Sequence, residues 1–209
     1  MLCPESPLAS SRQLIVVTAE SWTSTEAQLC RFERENRNDA WRQIETSMDV
    51  SLGKSGLAWG IGRHPSSIDK GAMKREGDGC SPAGIFAITA LFGDQAQENG
   101  WTQSAGLPYL QASRNLKCID DPNSLHYNRI IDQRTLEAVD WQSHEDMLRQ
   151  DQRYAIGAGI AHNSTPPCAC AGSCIFLHVW QSKGVPTAGC TASSYVDMLT
   201  ICRWLQAAA

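Results

Sequence analysis

The sequence contains no long apolar run, no excess of basic residues and no internal repeat. No apolar stretch approaches the roughly 18 residues that a membrane span requires, so we expect no membrane-spanning segment. The net charge of −4 argues against nucleic acid as a partner, because a phosphate-binding surface needs clustered Lys and Arg. The opening MLCPESPLASSRQ lacks a basic segment followed by an apolar one, so we predict no secretory signal.

Cysteine, by contrast, is plentiful. The chain has 209 residues, of which 42% are hydrophobic and nine are cysteines. This composition is typical of a globular protein, and the length favours one domain, which we assign to residues 12–209 after a tail at residues 1–11. Because nine is odd, at least one sulfur must be free, metal-bound or linked to another chain.

Short apolar and β-branched runs predict most of the secondary structure as strands. The predicted strands lie within residues 13–19, 27–32, 40–49, 52–62, 84–92, 154–162 and 174–180. We expect the run at residues 13–19 to be buried, and the glycines of residues 52–62 to form turns around a short strand.

Helical patterns are fewer. Residues 135–150 could hold one irregular helix, and residues 195–206 predict a C-terminal helix that Ser194 caps. Its predicted apolar stripe consists of Val196, Leu199, Cys202 and Leu205. Because strands do not alternate with helices, we predict a mainly β (α+β) fold closed by this helix and not a doubly wound parallel sheet.

One cysteine and one histidine are placed to act together. Alternation along residues 174–180 puts Cys174, Phe176 and His178 on one face of a strand. A turn-rich loop then leads to Cys190, just before the predicted helix, so the fold could bring Cys190 within hydrogen-bond reach of His178. A helix N-terminus stabilises a thiolate, and the backbone at Gly189 could stabilise an oxyanion.

The spacing of these two residues allows a second interpretation. In this interpretation Cys190 is a buried or disulfide-bonded cysteine, and His178 is a hydrogen-bonded histidine of the core. A histidine and a cysteine twelve positions apart are a weak signal, and spacing alone favours this structural interpretation over nucleophilic catalysis.

Two segments resemble a known family. KREGDGCSPAGIF (residues 74–86) and HVWQSKGVPTAGC (residues 178–190) resemble the catalytic domain of the YkuD-type L,D-transpeptidases, over nearly the whole chain from about Gln13 to the C-terminal helix. The family signature has an upstream His, then Ser/Thr-His-Gly-Cys, and these match His178, Thr187, Gly189 and Cys190. The second histidine of the signature is replaced by Ala188.

The resemblance implies a fold and a reaction. The fold would be a curved β-sandwich-like sheet with peripheral helices. The reaction would be acyl transfer on peptidoglycan stem peptides through a thioester at Cys190, with His178 as base and no metal or organic cofactor. Thr191-Ala192 replace the hydrophobic residue and the Arg or Asn that often follow the family cysteine. Transpeptidation and hydrolysis therefore both stay open, as does a non-catalytic, disulfide-rich cell-wall-binding module in which Cys190 is paired.

Other polar residues are candidates for substrate binding. His162 and Asn163 follow a predicted strand, and comparable residues of the family line the catalytic cleft; a role at the strand end or the surface is the alternative. Tyr127 and Asn128 belong to a polar and aromatic cluster that could recognise a stem peptide, or could simply form a structured loop. We interpret Lys74 and its neighbours as a solvated turn.

The remaining cysteines favour disulfides over metal binding. Cys168, Cys170 and Cys174 are spaced as C-x-C-x3-C, which fits zinc poorly. Disulfides with Cys80, Cys118 or each other are more plausible in an oxidising compartment. The resemblance implies a periplasmic or extracellular protein, although this chain shows no export signal. We expect a monomer.

Overall fold

A computed structural model describes residues 6–65, 71–96, 100–104 and 106–206. Over these residues the chain is mainly β, with a single α-helix following the last strand. The strands are β1 (Gln13–Thr18), β2 (Glu26–Glu33), β3 (Arg42–Ser51), β4 (Leu57–Trp59), β5 (Ser81–Ala83), β6 (Ile88–Gly93), β7 (Tyr109–Gln111), β8 (Leu116–Cys118), β9 (Ile130–Asp132), β10 (Glu145–Asp146), β11 (Ile156–Ile160), β12 (Phe176–Val179) and β13 (Thr191–Ser193). The helices are the 3-10 helices Gly100–Ser104 and Gln133–Thr135 and the α-helix α1 (Tyr195–Trp204).

Eight strands form one curled sheet. Their order is β1-β2-β3-β13-β12-β11-β6-β7, and a three-stranded sheet (β10-β8-β9) and the pair β4-β5 lie outside it. Within the eight-stranded sheet, neighbours are antiparallel except β12 with β13 and β6 with β7, which are parallel. The mainly β prediction is therefore confirmed, and the strands expected at residues 27–32, 40–49, 52–62, 154–162 and 174–180 are present.

The central strand β12 separates two apolar clusters. Leu177 and Val179 belong to the larger cluster, which includes the buried side chains of α1. Cys174 and Phe176 belong to the smaller cluster. All four residues of β12 are buried, because its two faces are both covered. The predicted alternation is confirmed over β12, residues 176–179, and it puts His178 on the side of the smaller cluster.

The C-terminal helix is confirmed, but its predicted stripe is partly wrong. Ser194 caps α1, since its hydroxyl accepts a hydrogen bond from the Asp197 N–H at 3.1 Å. The buried face consists of Met198, Ile201 and Cys202. Val196 is 70% exposed. The spacing i, i+3, i+4 from Met198 follows the 3.6-residue period of a helix, whereas a repeat of three drifts around it.

Three expectations about secondary structure need correction. Residues 135–150 hold no α-helix: β10 lies there and pairs with β8, and the buried Met147 follows it. The strand predicted at residues 84–92 begins only at Ile88. The run at residues 13–19 is the edge strand β1, and it is only half-buried because it has a neighbour on one side alone.

The segment preceding β1 is held by an arginine. The Arg34 guanidinium donates to the backbone carbonyls of Leu8, Ala9 and Ser11 at 2.5–2.9 Å. The described part of the predicted tail therefore lies against the domain, and residues 1–5 are outside the described residues. None of the helices in the described ranges is long and apolar enough to cross a membrane.

Candidate active site

Cys190 lies at the entry to β13, and its backbone is held by two hydroxyl groups. Its carbonyl oxygen accepts hydrogen bonds from Thr187 Oγ1 at 2.6 Å and from Ser81 Oγ at 2.9 Å. Thr187 Oγ1 also accepts from the Gly189 N–H at 3.0 Å. Gly189 has a φ of 151°, and a Cβ there would lie 3.0 Å from the Cys80 carbonyl oxygen, so glycine is required for this turn.

The Cys190 thiol is buried among backbone groups. The side chain is 8% exposed. Its Sγ accepts a hydrogen bond from the Phe176 N–H at 3.3 Å and donates to the Cys174 carbonyl at 3.5 Å. The sulfur is therefore fixed against the start of β12, and it is a free thiol. The interpretation of Cys190 as a disulfide-bonded residue is wrong.

His178 lies on β12 with one ring nitrogen engaged. Its Nδ1 is 2.8 Å from the carbonyl oxygen of Val179. Because a carbonyl can only accept, Nδ1 carries the proton, and the neutral ring has its lone pair on Nε2. The ring also packs edge-on against Tyr154, with centroids 5.3 Å apart. The orientation of His178 is thus set by its own strand and by one aromatic neighbour.

His178 and Cys190 line the same small cavity, of about 100 Å³. The other lining residues are Glu145, Arg149, Arg153, Tyr154, Trp180, Gln181, Val185, Pro186, Thr187 and Ala188. The pairing of β12 with β13 explains why His178 and Cys190 share this cavity. Leu177 lies opposite Thr191 in the parallel register, so the neighbouring residues His178 and Cys190 lie on the same side of the sheet. No hydrogen bond joins His178 to Cys190 within the described ranges.

The thiol is neutral at rest. Burial raises the pKa of Cys190 to about 12, and the nearby Glu145 carboxylate adds to the rise. The Phe176 N–H and the Lys74 ammonium oppose the rise. The expected thiolate at a helix N-terminus is not what the structure shows: β13 separates Cys190 from α1, and Ser194 caps that helix.

The imidazole is neutral as well. Burial lowers the pKa of His178 to about 4, against the raising effect of its hydrogen bond to the Val179 carbonyl. Arg153 and Arg149 lower it further. Near neutral pH the pair is therefore a thiol beside a neutral imidazole, which is able to accept a proton.

Sequence reasoning missed an acidic group in this cavity. Tyr154 donates its hydroxyl hydrogen to Glu145, and burial raises the pKa of that carboxyl. The Arg149 guanidinium lies 5.2 Å over the Tyr154 ring. Arg149 and Arg153 both form ion pairs with Asp151. No spacing in the sequence links these residues to Cys190, because Glu145 comes from the edge strand of another sheet.

His162 and Asn163 do not reach this cavity. His162 Nδ1 accepts from the Ile61 N–H at 3.2 Å, and its Nε2 donates to the Ala171 carbonyl at 2.9 Å. The Asn163 amide nitrogen donates to the Cys168 carbonyl, and its Oδ1 accepts from the Cys168 N–H at 2.8 Å. Both residues are fully buried, so they hold the loop after β11 in place.

Tyr127 and Asn128 belong to the same buried network. Asn128 Nδ2 donates to the carbonyls of His162 and Asn163 at 2.8 and 2.7 Å, and its Oδ1 accepts from the Cys174 N–H. The Tyr127 hydroxyl donates to Glu76. Of the residues predicted to bind substrate, Thr187 alone lies in the Cys190 cavity. The side chains of His162, Asn163 and Asn128 bond to the backbone, and that of Tyr127 bonds to Glu76.

Lys74 is not part of a solvated turn. Its side chain is buried, and its ammonium pairs with Asp78 at 2.7 Å. Glu76 accepts from the hydroxyl groups of Tyr127 and Ser173. The segment KREGDG was predicted to be solvated because charged residues near glycines are usually exposed. In the structure this loop packs against residues 170–173.

One disulfide joins Cys118 to Cys174. This pair is among the bridges that the sequence left open, and it excludes Cys174 as a metal ligand beside Cys168 and Cys170, which are free and exposed. Over the described ranges, no group of three or more His, Cys, Asp or Glu side chains is placed to hold a metal ion.

Comparison with known proteins gives no assignment. No protein-family model, curated protein or solved structure matches the chain. Any function must therefore rest on the residues and on the geometry of the site.

Proposed function

We propose that this protein is a cysteine acyltransferase, with Cys190 as nucleophile and His178 as base. The observation that carries the proposal is that Cys190 and His178 line one cavity while the Val179 carbonyl fixes the imidazole as its Nδ1–H tautomer. An imidazole held in this way presents the Nε2 lone pair, which a general base needs.

The reaction begins with a neutral pair. The Cys190 thiol turns from the Cys174 carbonyl towards His178 Nε2, which takes the S–H proton as the sulfur attacks a substrate carbonyl carbon. The carbonyl π bond breaks and its electron pair moves to oxygen. The Cys190 N–H is the donor we assign to that oxyanion, because the Gly189 N–H already donates to Thr187.

Collapse of the intermediate forms a thioester. The C–N bond breaks, and the leaving amine takes the proton that His178 holds. An amine acceptor, or water, then gives a proton to His178 and attacks the thioester carbonyl carbon. The C–S bond breaks, and the departing sulfur takes that proton from His178, which returns the Cys190 thiol. His178 therefore accepts one proton and gives it back in each half of the cycle.

The substrate class we propose is a peptidoglycan stem peptide, with the carbonyl of a diaminopimelate residue as acyl donor and terminal D-alanine as leaving group. Support comes from the resemblance of residues 74–86 and 178–190 to L,D-transpeptidases, whose fold we propose for this chain. The cavity wall also carries charges of both signs, from Glu145, Arg149 and Arg153, and these complement a peptide that bears both an ammonium group and carboxylates.

Incubation with tetrapeptide muropeptides, followed by mass analysis of the products, tests the proposal. Cross-linked dimers are expected for a transpeptidase, and free tripeptide without dimers would assign hydrolysis at the same thioester. Cys202→Ala is a matched control, because burial raises the pKa of Cys202 to about 12 as well, yet that thiol lies in the other apolar cluster. Absence of both products, or full activity in Cys190→Ala, would contradict the proposal.

A further inference from the structure

A second and much larger cavity, of about 1190 Å³, lies inside the curl of the eight-stranded sheet. Seven of its strands contribute residues to the wall, among them Leu14, Leu29, Arg42, Ile88, Ile160, Leu177 and Thr191. Leu177 points away from the face of β12 that carries Phe176, so the sheet itself separates this cavity from the Cys190 site.

The cavity exists because α1 covers only part of the sheet. Met198, Ile201 and Cys202 bury one region of the larger apolar cluster completely. Ile88 and Ile160 belong to the same cluster but are only partly buried, since they face the cavity. Leaving apolar area in water costs about 25 cal/mol per Å², so an apolar occupant of this space stabilises the fold.

The charged residues at the wall indicate what the polar end of that occupant carries. The lining contains Arg12, Arg34, Arg42, Arg63, Glu33 and Glu35. Glu33 accepts from the Trp204 indole N–H, and Glu35 lies 3.9 Å from Arg42. The Arg34 guanidinium is bound to backbone carbonyls. Within the described ranges Arg12 and Arg63 form no ion pair, so they are the cations of this wall with which the anionic group of a ligand could pair.

From this combination we infer that the cavity binds one long-chain carboxylate, with its acyl chain against the leucines and isoleucines and its head group beside Arg12 and Arg63. The volume is ample for such a ligand, because pockets for small molecules usually measure about 300–1,000 Å³. This site is independent of acyl transfer at Cys190, since neither Cys190 nor His178 lines the larger cavity.

Calorimetric titration of the delipidated full chain tests the inference, with hexadecanoate, hexadecan-1-ol and hexadecyltrimethylammonium as probes below their micellar concentrations. We expect one hexadecanoate per chain, with the alcohol weaker by about tenfold or more and the cation weaker still. Equal affinity for the three probes, or no binding of hexadecanoate, would overturn the inference.

Two variants locate the ligand. Ile160→Trp fills the cavity and should weaken hexadecanoate at least about tenfold, whereas Val139→Trp, at a side chain that is 53% exposed, should leave it unchanged. Arg63→Glu changes an exposed side chain, so it keeps the fold and should weaken hexadecanoate while leaving hexadecan-1-ol unaffected. Unaltered affinity in Arg63→Glu, or binding only after deletion of residues 1–5, would show that another occupant belongs there and refute the inference.

Discussion

His178 donates its Nδ1 hydrogen to the carbonyl oxygen of Val179, the next residue along the same strand, at 2.8 Å. Catalytic imidazoles are commonly oriented by a separate carboxylate or amide side chain. Here the backbone does this work, and the strand geometry that fixes Val179 therefore fixes the tautomer of His178. The tautomer of the candidate base is therefore set by the sheet, while the Tyr154 ring packs against the imidazole.

Glu145 restrains the reactivity of Cys190, because its carboxylate raises the pKa of the thiol. Glu145→Gln keeps an acceptor for the Tyr154 hydroxyl but removes the charge, so the Cys190 pKa should fall. We expect alkylation of Cys190 by iodoacetamide at pH 9 to become several-fold faster, measured by peptide mass mapping. The surface variant Glu137→Gln should leave the rate unchanged; an unchanged or slower rate in Glu145→Gln would count against the assignment.

Acid should destabilise the protein through its two buried histidines. The pKa values of His162 and His178 are lowered from 6.5 to about 4 by burial, so the unfolded chain binds more protons between these pH values. The free energy of unfolding should therefore drop as pH falls from about 6.5 to about 4, and each pKa unit is worth about 1.4 kcal/mol per histidine.

Urea titrations at pH 7, 5 and 4 measure this loss. His162→Gln removes one titrating ring, so its stability should depend less on pH than that of the wild type. An equally steep pH dependence in both proteins would show that other groups carry it.

Asn163 should matter for stability and not for substrate affinity. Its side chain satisfies backbone groups of Cys168 and Gly172, and its φ of 50° suits asparagine better than most residues. Asn163→Ala should cost about 3 kcal/mol of unfolding free energy, measured by urea denaturation, with KM unchanged. The control Asn123→Ala, at an exposed position, should cost far less. A raised KM with unchanged unfolding free energy in Asn163→Ala would contradict this prediction and indicate that Asn163 binds substrate.

The Cys118–Cys174 disulfide should stabilise the fold. It closes a loop with a sequence separation of 56 and ties β8 to the segment that leads into β12. Bridges of this kind contribute about 2–4 kcal/mol, so a reductant should lower Tm in the wild type. Cys118→Ala/Cys174→Ala should start from the lower Tm and show no further shift on reduction. An equal Tm for the reduced and oxidised wild type would contradict this.

Much of the sheet was predictable, because alternation and β-branched runs act locally. Phe176 and Leu177 point to opposite clusters as their alternation requires. The segment between Leu136 and Arg149 was not predictable, since its pairing with β8 depends on a distant strand. The prediction that His162 and Asn163 bind substrate was wrong for a different reason. A polar pair after a strand is compatible with a substrate cleft and with a buried structural role, and only the hydrogen-bond partners in the structure distinguish the two.

Intact-mass analysis of the protein mixed with a tetrapeptide donor tests the central claim most directly. The account predicts an adduct equal to the donor minus D-alanine, labile to hydroxylamine and mapped to Cys190, present in Cys202→Ala and absent in Cys190→Ala. In His178→Asn, acylation should slow by about 10²–10⁴-fold. An adduct on another residue, or wild-type acylation rates in His178→Asn, would contradict it.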